Sequence, residues 1–124
     1  MKHILLVDDD SSVLNLFSRA LSEYDVTLAH DGFEALAASK QLGQLDLLIT
    51  DYFMPSMIGD ELIARVREQR PDLPVLVVTG HADILDNDAS PWWQSLPRLE
   101  KPFDAGELRH QVTAMIGEAH STRF

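Results

Sequence analysis

The chain has 124 residues, of which 45% are hydrophobic and 24% charged, and it contains no cysteine. This length is enough for one domain with its own core. The formal net charge of -10 argues against nucleic-acid and anionic-membrane partners, which attract basic proteins. The lack of cysteine excludes disulfides, thiolate catalysis and cysteine-bound zinc. Apolar runs are too short for a membrane span or a signal peptide. We therefore expect a cytoplasmic protein forming a single domain over residues 1–124.

Short apolar runs and amphipathic segments alternate along the chain. Strands are predicted, in chain order, at Ile4–Val7, Val26–Leu28, Leu47–Ile49, Val75–Val78 and Arg98–Glu100. Helical spacing predicts four helices, each with one apolar face. The residues on these faces are, helix by helix, Val13 and Phe17; Phe33, Leu36 and Ala37; Leu62, Ile63 and Val66; and Leu108 and Val112. Asp10 or Ser11 is placed to cap the first helix and Asp104 the last. This alternation predicts an α/β fold with a parallel sheet.

The segment before the fifth strand departs from this alternation. The sequence D-I-L-D-N-D-A-S-P-W-W-Q-S-L-P, residues 83–97, leaves room for only a turn or two of helix, which Pro91 can begin. The fourth helix is therefore expected to be short or irregular. Trp92 and Trp93 either fill the space that a shortened helix leaves or form an exposed anchor for a partner, since Trp is enriched in interface hot spots.

Charged and polar residues follow the predicted strands. Asp8 and Asp9 come after the first strand, Asp51 after the third, Thr79 after the fourth and Lys101 after the fifth. The carboxyl ends of parallel strands share one edge, where ligands bind. Carboxylates 4 Å apart repel by about 4 kcal/mol per pair at an effective dielectric near 20, which favours a bound cation there. Mg²⁺ suits such oxygen donors, and one carboxylate can then attack phosphorus while the hydroxyl and the ammonium bind phosphoryl oxygens.

Five motifs, in order, resemble those of the receiver domains of two-component response regulators. They read L-L-V-D-D-D, D-G-F-E-A-L, D-Y-F-M-P-S-M-I-G, V-V-T-G and E-K-P-F, and together they span nearly the whole chain. The resemblance implies a doubly wound, five-stranded parallel sheet of the flavodoxin-like order 2-1-3-4-5, with helices on both faces. Gly59, which ends the third motif, is expected to allow a tight turn.

The resemblance also implies a role for each site residue. Asp51 is the expected phosphoacceptor, and Asp9 and Asp51 are expected to bind Mg²⁺ together with the backbone carbonyl of Phe53. Asp8 is expected to act mainly through a metal-bound water. The remaining expected contacts to the phosphoryl group come from Thr79 and Lys101, and the Lys101–Pro102 peptide bond is expected to be cis.

The expected partners follow from the same resemblance. A histidine kinase or a histidine phosphotransfer protein supplies the phosphoryl group, and phosphorylation switches a surface that binds a downstream protein target or a fused kinase module. Such a domain is not an enzyme beyond its own Mg²⁺-dependent phosphorylation and dephosphorylation. Because no DNA-binding segment follows the last predicted helix, direct nucleic-acid binding is not expected. Arg98 departs from the family, which usually has Tyr or Phe there to move with Thr79.

Two other functions are compatible with the sequence. One is a receiver-like interaction module that phosphorylation does not regulate, an alternative that Arg98 keeps open. The other is a small aspartyl-phosphate phosphohydrolase, because the Asp8-x-Asp10-x-Ser12 pattern loosely resembles the D-x-D-x-T/V motif of the haloacid dehalogenase superfamily. The later acidic motif of that superfamily and a cap for substrate selection are absent from the sequence, which argues against it.

Overall fold

Strands and helices alternate through the described part of the chain, which in this computed structural model is residues 1–52, 57, 59–80 and 96–117. In chain order the elements are β1 (His3–Val7), α1 (Ser11–Ala20), β2 (Asp25–Ala29), α2 (Gly32–Gln41), β3 (Leu47–Asp51), α3 (Gly59–Gln69), β4 (Val75–Thr79), β5 (Arg98–Glu100) and α4 (Ala105–Ile116). The expected short fourth helix falls almost wholly outside the described residues, so the last helix carries the label α4 here.

The five strands form one parallel sheet in the order β2-β1-β3-β4-β5, which confirms the predicted fold class. Successive residues of a strand point to opposite faces, and each face has its own core. On one face Leu5 and Val77 pack with α2 and α3, and on the other Ile4 and Leu76 pack with α1 and α4. Burial on both faces explains why the central strands read as unbroken apolar runs.

Aspartate caps fix the starts of three helices on the edge where the strands end. The side chain of Asp10 accepts a hydrogen bond from a backbone N–H of α1 at 2.9 Å. Of the two residues predicted as alternative caps of this helix, Asp10 is therefore the one that caps it. Asp104 caps α4, as predicted, and forms a capping box with Glu107. The side chain of Asp31 caps α2 by accepting the backbone N–H of Glu34 at 2.8 Å. None of the helices in the described residues has the length and apolar character that a membrane crossing requires.

The second helix packs differently from its prediction. Phe33 was expected on the core face, yet it is 56% exposed, and Ala37 is exposed as well, while Leu36 is only partly buried. The expectation was therefore wrong for Phe33 and Ala37, whereas Leu36 does pack against the core. The buried residues are small: Gly32, Ala35 and Ser39. Small side chains let a short helix lie close against a sheet, and they carry too little apolar signal to be recognised by periodicity.

Candidate functional site

The carboxyl ends of the strands meet at one edge of the sheet. The register places the last residues of β1, β3, β4 and β5 beside one another. Two backbone hydrogen bonds continue the pairing one residue beyond the strands: Lys101 N–H donates to the Thr79 carbonyl at 2.8 Å, and Asp8 N–H donates to the Ala29 carbonyl at 3.2 Å. Residues that are 93 positions apart in the chain are in this way held at a common edge.

Three of the predicted carboxylates form a cluster at this edge. Asp8, Asp9 and Asp51 each offer an oxygen, and these oxygens lie within 4.8 Å of one another. Asp8 is only 2% exposed and Asp51 only 9%, whereas Asp9 is exposed to solvent. Burying a carboxylate is costly unless it is paired or hydrogen-bonded. Two of these three acids therefore need a positive partner.

Lys101 supplies that partner to both buried acids. Its Nζ donates to Asp8 Oδ2 at 3.1 Å and to Asp51 Oδ2 at 3.2 Å. The other oxygen of Asp8 accepts the backbone N–H of Asp10 at 3.0 Å, so both oxygens of this carboxylate are engaged. The cluster of three carboxylates and the Lys101 ammonium together carry a formal charge of -2.

The donor set fits a small divalent cation. Carboxylate oxygens are the protein ligands that Mg²⁺ prefers, and it usually takes only one or two of them and keeps several waters. The carboxylate of Asp9 is exposed and lies within 4.8 Å of the buried carboxylates of Asp8 and Asp51, so the cluster is in contact with solvent on that side. The excess negative charge is of the size that a divalent ion neutralises.

The other predicted residues have different outcomes. Thr79 is fully buried at the end of β4. Asp10 caps α1 and is not part of the carboxylate cluster. Arg98 begins β5 and is partly buried, and the Lys101–Pro102 peptide bond is cis, as the resemblance implies. The predictions made for three aromatic residues lie outside the described part of the chain: Phe53, Trp92 and Trp93.

Comparison with known proteins agrees with this geometry. Residues 4–113 match the response regulator receiver domain. The chain belongs to this family. The transcriptional regulatory protein TrcR of Mycobacterium tuberculosis is 36% identical to this receiver domain over 115 residues, which is 91% of the chain and 44% of TrcR. The chain spans between 25% and 50% of the length of such relatives.

Solved structures show the same likeness. A response regulator receiver domain protein from Clostridium thermocellum has a TM-score of 0.82 at 28% identity, with 94% of each chain covered. The receiver domain of the hybrid histidine kinase CckA has a TM-score of 0.76 at 30% identity, covering 92% of this chain and 98% of that one. The protein is therefore a receiver domain of two-component signalling.

Met57 and Gly59, which follow Asp51 in the chain, make contacts that sequence reasoning missed. Gly59 was expected to allow a tight turn, but it begins α3 without a left-handed φ. A side chain there would bring its Cβ within 2.9 Å of the Tyr52 Cα, so close packing is what requires glycine. Two residues earlier, Met57 is buried against Gly32 of α2. The signals that the sequence offered were these two glycines and the third motif, which contains Met57.

The charge state of Lys101 gives this receiver domain a testable dependence on pH. Burial alone would lower the pKa of Lys101, but the charges of Asp51 and Asp8 and the two hydrogen bonds outweigh it and raise the pKa above 10.5. The charged ammonium therefore stabilises the fold fully below about pH 10.5, and this contribution disappears as the pH rises through the higher folded pKa. We expect the free energy of unfolding, measured in urea, to fall over that range.

A comparison of two lysine variants isolates this effect. The exposed Lys40 lies in the last turn of α2, away from the carboxylate cluster. Lys40→Met is expected to keep the alkaline loss of stability, and Lys101→Met is expected to lack it. The three proteins share all their other side chains, so the contributions of those groups cancel in the difference. Identical alkaline profiles for wild type and Lys101→Met would contradict the role given to the ammonium.

Proposed function

We propose that this receiver domain accepts a phosphoryl group on Asp51 from a histidine kinase or a histidine phosphotransfer protein, and that it does so with Mg²⁺. The observation that carries the proposal is the position of the Asp51 carboxylate. It lies within 4.8 Å of the carboxylate oxygens of Asp8 and Asp9 and is hydrogen-bonded to Lys101. A nucleophile next to both a cation-binding cluster and a fixed ammonium suits attack on a phosphoryl group, which is negatively charged.

The proposed transfer forms one bond and breaks one bond. An oxygen of Asp51 attacks phosphorus, the new O–P bond forms, and the bond from phosphorus to the donor's imidazole nitrogen breaks. The electron pair of that bond leaves with the imidazole, which takes up a proton. Water later attacks the same phosphorus, releases inorganic phosphate and restores the carboxylate. The domain is therefore phosphorylated and dephosphorylated without turning over a separate substrate.

Asp8, Asp9 and Asp51 are the residues that would hold Mg²⁺. In the proposal Asp9 and Asp51 are direct ligands, as is the backbone carbonyl of Phe53, and Asp8 acts mainly through a metal-bound water. The bound ion supplies charge neutralisation, which lets an anionic phosphoryl donor approach an anionic nucleophile. The cluster's formal charge of -2 supports this, because without a cation it repels such a donor.

Lys101 and Thr79 are the proposed contacts of the phosphoryl group. Lys101 already binds the side chain that would carry the group, and its backbone is hydrogen-bonded to Thr79 at 2.8 Å. Phosphorylation would replace a carboxylate that Lys101 contacts with a larger, more negative group. The contacts of Lys101 and Thr79 would then have to rearrange, which biases the domain towards a second conformation with a different affinity for partners.

The proposed partners follow from the family. TrcR is a transcriptional regulatory protein, and CckA is a hybrid histidine kinase, so receiver domains similar to this one occur in both settings. We propose that the output is a downstream protein target or a fused kinase module, without direct contact to nucleic acid or membrane. The acidic net charge of -10 supports this choice. We also propose that the chain forms a single domain over residues 1–124 and is located in the cytoplasm.

Acetyl phosphate provides a test that needs no partner kinase. After incubation with this donor, intact-mass analysis is expected to show one phosphoryl adduct in the presence of Mg²⁺ and none after chelation. Asp51→Asn should lose the adduct. The matched control is Asp31→Asn, which removes a carboxylate from an N-cap outside the cluster, where asparagine caps as well as aspartate.

Three results would count against the proposal. An adduct that persists in Asp51→Asn would place the chemistry on another residue. No adduct in wild type, under conditions in which another receiver domain reacts, would favour an interaction module that is not regulated by phosphorylation. Steady hydrolysis of p-nitrophenyl phosphate would instead favour a phosphohydrolase. The haloacid dehalogenase-like pattern gains no support from the structure, since its second aspartate, Asp10, caps a helix.

A further inference from the structure

We propose that Met57 is a positioning residue for Asp51, fixing the start of α3 by packing against Gly32, the first residue of α2. This inference rests on the proposed function, since it assigns Met57 to the placement of the proposed nucleophile. Met57 lies six residues after Asp51 and is 2% exposed, so its side chain belongs to the core although it follows the functional edge.

The contact between Met57 and Gly32 leaves no room for a side chain on α2. A Cβ placed on Gly32 would lie 2.6 Å from the Met57 Cβ and 2.7 Å from its sulfur. The start of α2 is itself fixed, because Asp31 caps the helix with a hydrogen bond of 2.8 Å. Met57 is therefore seated against a rigid helix start, and the flexible thioether side chain suits an irregular space of this kind.

A second contact joins the same segment to the backbone of Asp51. The N–H of Gly59 donates to the Tyr52 carbonyl at 2.7 Å, and a Cβ on Gly59 would lie 3.1 Å from the carbonyl oxygen of Asp51. Tyr52 is in turn bonded through its N–H to the Val78 carbonyl of β4 at 3.2 Å. The first residue of α3 therefore lies directly against the peptide that carries the proposed nucleophile.

Two contacts and a short stretch of chain connect α2 with the site. Met57 packs against Gly32, Gly59 follows Met57 by two residues in the sequence, and Gly59 lies against the backbone of Asp51. Truncating Met57 would leave space beside Gly32 and allow the start of α3 to shift. A misplacement of a reacting group by about 1 Å can cost about 100-fold in rate. The geometry therefore ties the reactivity of Asp51 to the packing of a side chain that touches neither metal nor phosphate.

The experiment compares Met57→Ala with a core truncation at the other end of the sheet. Leu73 belongs to the same core cluster, is 4% exposed and precedes the first residue of β4, opposite the functional edge. Each variant is assayed for its unfolding midpoint, its rate of phosphorylation by acetyl phosphate, and the hydrogen-exchange rate of the Gly59 amide relative to that of Val66. Met57→Leu, which nearly conserves volume, serves as the rescue variant.

We expect Met57→Ala to slow phosphorylation about 10- to 100-fold and to speed Gly59 exchange about tenfold relative to Val66. Leu73→Ala should lower the unfolding midpoint yet keep the phosphorylation rate within about twofold of wild type. Met57→Leu should also keep the phosphorylation rate within about twofold of wild type. Equal slowing by Leu73→Ala, or an unchanged rate in folded Met57→Ala, would overturn the inference. If wild type forms no adduct, the proposed function fails, and an unchanged Gly59 exchange rate would still refute the positioning role separately.

Discussion

Replacing Lys101 by methionine is expected to slow phosphorylation of Asp51 by about 100- to 1,000-fold. This is the usual cost of removing one fixed group that stabilises charge in a transition state. Lys101 donates to the proposed nucleophile itself at 3.2 Å, so the ammonium is already where a developing negative charge would need it. The rate is measured by intact mass during incubation with acetyl phosphate and Mg²⁺, with Lys40→Met as the control for loss of a lysine elsewhere.

The same substitution is expected to lower the free energy of unfolding by about 2–3 kcal/mol at neutral pH without Mg²⁺. Removing one partner of a buried ion pair costs about 3–5 kcal/mol. We expect a smaller loss here because the Lys101 side chain is 29% exposed, so that solvent partly screens its charge. Asp8 and Asp51 would be left buried and facing each other. Mg²⁺ should restore part of the loss. Wild-type stability and reactivity in Lys101→Met would contradict both expectations.

The second large effect concerns cation binding. Asp9→Asn is expected to weaken Mg²⁺ binding at least about tenfold, because the cluster loses one of its three carboxylates and its charge excess falls. Binding stabilises the folded state by RT ln(1 + [L]/Kd), where [L] is the free Mg²⁺ concentration. At a Mg²⁺ concentration about 100 times the wild-type Kd, wild type gains about 2.7 kcal/mol, and a tenfold weaker variant gains only about 1.4 kcal/mol.

Asp10→Asn is the matched control for this measurement. Asp10 is the neighbouring residue, but its side chain caps α1, and asparagine can make the same cap. Its gain in unfolding free energy on adding Mg²⁺ should equal that of wild type. Without Mg²⁺, Asp9→Asn should be slightly more stable than wild type, because it relieves repulsion within the cluster. Equal Mg²⁺ gains for wild type and Asp9→Asn would show that the cation does not bind at this cluster.

Much of the fold can be predicted because its strongest signals are local. β3 and β4 are short apolar runs buried on both faces, and parallel sheets make that pattern necessary. The caps of α1 and α4 could likewise be predicted, because an aspartate comes just before each segment in which apolar residues recur at helical spacing. The edge shared by Asp8, Asp51 and Lys101 followed from the rule that parallel strands end on the same side.

What could not be predicted depends on distances between elements that are far apart in the chain. The sequence placed Lys101 at the correct edge, but it could not show one ammonium bridging Asp8 and Asp51 at 3.1 and 3.2 Å. The exposure of Phe33 is a second case. Periodicity favoured this large side chain for the core, whereas the close contact of Gly32 with Met57 sets which face of α2 meets the sheet.

The position of the phosphoryl group is the measurement that bears most directly on the proposed chemistry. After reaction with acetyl phosphate and Mg²⁺, borohydride reduces an acyl phosphate to an alcohol, which marks the modified residue for peptide mass analysis. The mark is expected on Asp51, beside the cluster and bonded to Lys101. A mark on Asp8, the residue that a dehalogenase-like mechanism would use, would contradict the assignment of Asp51 and with it the receiver chemistry proposed for this site.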